Sequence, residues 1–169
     1  MPEPLTISGT VEASYHQFFL LDVDTYPEDA GRLSWQDNGL VTTTTGILAI
    51  STGIHTGPAR LVVERLSSAP PLTTRTWDDV VETSLHVPQR ELRVAGLMQE
   101  PSPELRTPVQ VDSTLCRVRV HASGRDTAFD VAVSDAVEDY LVQLWETDSD
   151  DPDAIMHATS SYGTRMRGH

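Results

Sequence analysis

In Leu115-Cys116-Arg117-Val118-Arg119-Val120, charged and apolar side chains alternate with a period of two. Only a β-strand turns that period into one buried and one wetted face. Cys116, Val118 and Val120 share the inner face, and Arg117 and Arg119 the outer one. Working outward, the same period recurs along the chain. Ile7, Gly9, Val11, Ala13 and Tyr15 alternate with Thr6, Ser8, Thr10, Glu12 and Ser14. Gly46 to Thr52, Arg60 to Arg65, Val80 to Val87, Glu91 to Met98 and Glu138 to Glu146 read as further strands. Phe18-Phe19-Leu20-Leu21 loses the alternation and is expected to be covered on both sides.

Prolines separate the runs at Pro70-Pro71, Pro88, Pro101 to Pro103 and Pro108, and Gly57-Pro58 reads as a turn, because strand interiors exclude proline. The pattern predicts an all-β domain. It reads as an antiparallel β-sandwich, jelly-roll-like, of about eight strands, with less than about a fifth of the residues helical. Asp24 to Gly39 is a long connection with room for a helical turn, and Ser134 to Val137 offers room for another. The expected core holds Tyr15, Phe19, Leu48, Ile50, Leu61, Val63, Val118, Val120, Leu144 and Trp145. Residues 1–146 form the domain. Residues 147–169, where the apolar pattern ends, read as an acidic, mobile C-terminal tail.

The chain has 169 residues and a net charge of −13, from 25 acidic and 12 basic residues, every basic one an arginine. Such a chain repels phosphates and anionic membranes, so direct nucleic-acid binding is excluded and a basic protein partner is favoured. No apolar run approaches the roughly 20 residues of a membrane helix. Met1-Pro2-Glu3-Pro4 does not open a signal peptide. The single cysteine, Cys116, permits neither an internal disulfide nor a CxxC clip. A cytoplasmic location is the simplest expectation.

Nothing in the sequence marks an enzyme or a cofactor site. The histidines, His16, His55, His86, His121, His157 and His169, never fall at the i, i+2 or i, i+4 spacing of metal ligands. Ser51 to Gly57 lacks the lysine of a phosphate loop, and Ser14 has no Gly-x-Ser-x-Gly elbow. His16 lies opposite Tyr15 and Gln17 on a strand, so it cannot build a local triad; it reads as a structural or interface residue. Ten of the acidic residues, and no basic one, fall between Asp126 and Asp153. Asp126, Asp130, Asp135, Glu138 and Asp139 lead into a strand and are candidate partner contacts with His16. Asp148 to Asp153 reads as a solvated tail, a further part of that patch, or a calcium loop without its glycine and distal glutamate.

Ser14-Tyr15-His16-Gln17-Phe18, opening an apolar strand, resembles the N-terminal motif of the competence protein J family. Trp35 in the first long connection, the strand Gly46 to Ile50, the strand Leu61 to Arg65 and the late aromatic strand Tyr140 to Trp145 follow in a similar order. The resemblance covers roughly residues 5–146, and the chain is longer in Asp24 to Gly39 and after Glu146. It implies a small β-rich inhibitor that pairs with a DNA-processing nuclease of the competence machinery, without cofactor or catalytic group. A β-sandwich module binding a small ligand or carbohydrate is the alternative, although sugar-binding faces present several exposed aromatics and only Trp35, Trp77, Trp145 and four tyrosines are available here, with Tyr15 and Trp145 expected in the core; a structural or assembly subunit is another.

Overall fold

The computed structural model describes residues 3–168. The N-terminal reading rests partly on Met1 and Pro2, and these two with His169 lie outside the described residues. The strands are β1 (Leu5–Ser14), β2 (Gln17–Asp22), β3 (Val41–Thr44), β4 (Ile47–Ser51), β5 (Thr56–Arg65), β6 (Asp79–His86), β7 (Glu91–Ala95), β8 (Val109–Gln110), β9 (Leu115–Ser123), β10 (Asp139–Glu146) and β11 (Ala154–Ala158). One α-helix, α1 (Ser161–Arg167), follows β11, and short 3₁₀ turns cover Pro27–Ala30 and Pro103–Arg106.

The all-β expectation holds, but the sandwich of about eight antiparallel strands does not. The strands form a single mixed sheet in the order β11-β6-β9-β10-β5-β1-β2-β4-β3, with β7 and β8 extending from β2. It curls into a half-barrel. The physical reason is the seam between β5 and β10. These two pair in parallel from Arg60 and Asp139 to Arg65 and Leu144, and so weld two antiparallel sets into one surface. A sheet that curls on itself buries its concave face without a second layer. That face carries Ile7, Val11, Phe18, Leu20, Leu48, Ile50, Leu61, Val63, Val118, Val120, Val142 and Leu144 in one core. Behind it, Phe19, Leu21, Ile47 and Ala49 form a second cluster, roofed by Leu33 and Trp35 of the long first connection. The unalternating run Phe18 to Leu21 is thus covered on both sides.

Three local expectations change. Tyr15 is not core: it is 64 % exposed, because the alternation of β1 ends at Ser14, which pairs with Gln17 across a two-residue turn. Gly57-Pro58 lies inside β5, where Pro58 faces Glu12 of β1; β10 joins the other side of β5 only from Arg60, so the missing proline N–H breaks no ladder there. The segment 147–168 folds onto the body. β11 pairs with β6, Tyr162 of α1 is buried, and Asp153 accepts hydrogen bonds from Asn38 (2.8 Å) and Thr83 (2.7 Å). No residue of β11 is fully buried on either face, so the strand carries no apolar alternation, which is why the sequence read as a tail.

On β9, Val118 and Val120 face the core as the alternation requires, yet Arg117 and Arg119 are buried too. Glu82 of β6 meets Arg117 at 3.3 Å and Arg119 at 2.9 Å. The carbonyls of Pro70, Asp151 and Pro152 accept from the same guanidiniums, so two coil segments cover this part of the outer face.

His121, farther along β9, is buried under Trp77, with ring centroids 5.3 Å apart. Its Nδ1–H donates to the Leu141 carbonyl (3.0 Å), and burial lowers its pKa. The unfolded chain takes up this proton near pH 6.5, at about the ordinary histidine value, and the folded protein only at lower pH. Stability attached to His121 is therefore present above about pH 6.5 and is lost as pH falls below it. Urea midpoints compared between wild type and His121→Gln at about pH 7.5 and pH 5 should show the wild type losing ground on acidification. Parallel pH profiles would refute the assignment.

Candidate functional site

The turn between β1 and β2 is Tyr15-His16, and both residues adopt left-handed backbone, with φ of 53° and 64°. Two-residue hairpin turns of this hand ordinarily carry asparagine or glycine, since a side chain there is strained. The surroundings hold the turn in place. His16 N–H donates to the His55 carbonyl (3.0 Å), and Thr52 N–H donates to the His16 carbonyl (2.9 Å). The His16 ring lies between two acceptors, with Nδ1 2.8 Å from the Thr52 carbonyl and Nε2 2.8 Å from Asp130 Oδ1. A ring carrying both protons donates to both. Asp130 is itself left-handed, with φ of 59°, and its N–H donates to the Gly53 carbonyl (2.8 Å). Strain clustered in this way is found where the surroundings over-determine a functional surface.

Around the turn, rings from four distant segments meet. His16 stacks on Tyr162 of α1, with centroids 6.0 Å apart and planes 8° apart. His55 approaches both Tyr15 and His16 edge-on at 5.3 Å. Phe129 lies 6.2 Å from His16 and 5.8 Å from Tyr162, and the Arg165 guanidinium sits 4.3 Å above it.

Beneath these rings is a buried polar floor. Arg125 donates to Asp79 (2.7 Å) and to the carbonyls of Gly39 (2.8 Å) and Ser51 (3.2 Å), with its guanidinium 5.0 Å from the Tyr162 ring. Burial alone would raise the Asp79 carboxyl, but Arg125 and the Ser160 hydroxyl and amide hold it below the usual range. Glu138 accepts from the Gly53 and Ile54 amides (3.1 and 2.6 Å) and from the Tyr140 hydroxyl (2.5 Å). Burial outweighs those bonds and raises its pKa.

No protein-family model matches the chain, and no curated protein sequence does. Solved structures do. A chain described as crocagin biosynthetic gene J aligns with a TM-score of 0.56 at 16% identity, over 85% of this chain and 98% of that one. ComJ from Bacillus subtilis, an inhibitor of the DNA degrading activity of NucA, aligns with a TM-score of 0.54 at 15% identity, over 86% and 96%. The fold is ComJ-like.

Within this ComJ-like fold the six candidate residues have separate fates. His16 and Asp130 are brought together at the strained turn. Asp126 receives the Ser161 and Tyr162 amides (2.9 and 2.8 Å) and so holds α1. Asp139 forks onto Arg60, with Nε–Oδ1 at 2.5 Å. Asp135 is exposed. Glu138 departs from the expectation: it is 0 % exposed, because the chain turns inward there to satisfy the Gly53 and Ile54 amides, and no partner can reach it. The second acidic run anchors its own segment, Asp150 to His86 (2.8 Å) and Asp153 as above. Among the described residues, no three of His, Cys, Asp and Glu gather as a metal site, and the calcium geometry does not form. Cys116 is buried, with its thiol pushed up to about 12 by burial, which rules it out as a nucleophile. Among the described residues, no helix is long and apolar enough to cross a membrane. Two of the tryptophans serve packing: Trp35 donates to the Ala49 carbonyl (3.1 Å), and Trp145 is buried beside Arg119.

His55, Phe129, Tyr162 and Arg125 are the site residues that sequence reasoning missed. Spacing cannot join segments this far apart. The one available signal was Phe129, the single aromatic residue between Ser123 and Asp139.

Proposed function

We propose that this chain is an inhibitory protein-binding module that covers the basic, DNA-binding surface of a DNA-degrading nuclease in the cytoplasm. The observation that carries the reading is the face just described, with Asp130 2.8 Å from His16 and Asp126 holding the helix whose Tyr162 stacks on that ring, on a fold like that of an inhibitor of NucA. A nuclease presents cations to phosphate, and carboxylates held on an ordered loop meet the same cations with little ordering cost. The face needs no cofactor for this work.

NucA is the probe, with DNA degradation the readout. Increasing amounts of the chain should slow degradation at low salt and less so at high salt, as screening shortens the reach of the charges. Asp130→Asn with Asp135→Asn should reduce the association rate by up to about tenfold at low salt, with a smaller change in dissociation. Degradation that proceeds unchanged at every ratio of chain to nuclease, with no complex formed, would overturn the reading.

A further inference from the structure

Tyr15, Phe129 and Val131 are large apolar side chains that this protein leaves in solvent, at 64 %, 42 % and 49 % exposure. They are contiguous: Tyr15 and Phe129 both border the His16–His55 pair, and the Val131 carbonyl accepts the His55 amide. The remaining exposed large apolar residues, such as Met98 and Ile155, belong to other elements. Clustered exposed apolar surface with a charged border marks an interaction site more often than scattered exposure does. On the side of His16 the border carries the exposed carboxylate of Asp130, and on the side of α1 Arg165 lies over Phe129.

We propose that the hairpin tip is an arginine-recognition site: an arginine side chain of a basic protein partner lies flat on the Tyr15 ring and turns its guanidinium to Asp130. This rests on the reading of the face as protein-binding and names the group that it receives. The molecule already uses the same chemistry internally, with Arg165 4.3 Å above Phe129 and Arg125 5.0 Å from Tyr162. Asp130 gives one oxygen to His16, yet its side chain stays 57 % exposed, so a carboxylate with about four lone-pair sites has room for another donor. A guanidinium is planar, stacks on aromatic faces and forks onto carboxylates, whereas an ammonium is a compact, strongly hydrated charge. The left-handed turn fixes the Tyr15 backbone before any partner arrives, which removes an ordering cost from binding. A phosphate-bearing ligand would meet the carboxylate border and be repelled.

The test uses hexa-arginine and hexa-lysine peptides of equal charge, titrated at physiological ionic strength into the full chain and into Tyr15→Leu. Because Tyr15 is mostly solvated, the leucine variant keeps the fold and an apolar side chain but loses the π face. The wild type should bind the arginine peptide about fivefold more tightly, as a single cation–π contact allows. The Tyr15 ring protons should shift with the arginine peptide alone, and Tyr15→Leu should bring the ratio near one. Equal affinities for both peptides, or a ratio that survives in Tyr15→Leu, would remove the site. The two proposals fail separately: arginine preference without inhibition of NucA leaves the site and removes the nuclease reading, and inhibition without arginine preference does the reverse.

Discussion

Replacing Arg125 with methionine should destabilise the fold by about 3–5 kcal/mol, the usual result of removing one partner from a buried ion pair. Arg125 and Asp79 are each only 1 % exposed, and their 2.7 Å contact compensates two charges taken out of water. Methionine fills much of the volume but leaves the Asp79 carboxylate with the Thr159 and Ser160 amides and the Ser160 hydroxyl, none of them a countercharge. It also uncovers the Gly39 and Ser51 carbonyls, which would then be buried without a donor. The damage spreads to the interaction face, since the same guanidinium underlies Tyr162, on which His16 stacks. Urea unfolding gives the number, and a second substitution gives the cause. Asp79→Asn added to Arg125→Met should recover part of the loss, because the uncompensated charge is gone. A single variant within about 1 kcal/mol of wild type would show that the pair is not what holds this region.

Gly53→Ala should lose about 3 kcal/mol or more, from overpacking and a lost buried hydrogen bond together. A Cβ on Gly53 would stand 1.9 Å from the Arg125 carbonyl oxygen and 2.8 Å from its Cα. Backbone cannot yield there as the end of a flexible side chain would. The segment must move, and Gly53 N–H then leaves Glu138, whose carboxylate is already costly to bury. Its carbonyl also holds Asp130, so the strained loop opposite His16 should loosen. Thermal unfolding should shift down by many degrees, and amide exchange in the loop of residues 126–135 should accelerate. A shift of only a degree or two would mean that the two segments part easily.

Much of the fold was legible because burial imposes a period. Val118 and Val120 on one side of β9, and the doubly covered run Phe18 to Leu21, follow from side-chain direction alone. Pairing partners were not legible: no local pattern tells β5 that it will lie parallel to β10, and without that fact the half-barrel reads as a sandwich. Arg117, Arg119 and Glu82 misled in another way. Charged residues on a strand read as wetted until a partner from another strand and a covering coil segment are known. At the site, His16 and Asp130 were picked from residue type and charge, and the structure joins them. Glu138 was picked for the same charge and is buried, because a carboxylate that serves backbone amides looks in sequence like one that faces solvent.

The parallel seam between β5 and β10 has a consequence in time as well as in space. Hairpins such as β1–β2, with its two-residue turn, close locally, whereas the seam joins Arg60 to Asp139, 79 positions apart. The entropy of closing so long a loop is lost before the contacts that reward it exist, so such pairings form slowly. Until then β5 and β10 are open edges rich in valine and leucine, able to pair with another chain. Synthesis at high concentration therefore selects for whatever keeps those edges apart, and a chain with 13 net negative charges repels its own copies during that interval.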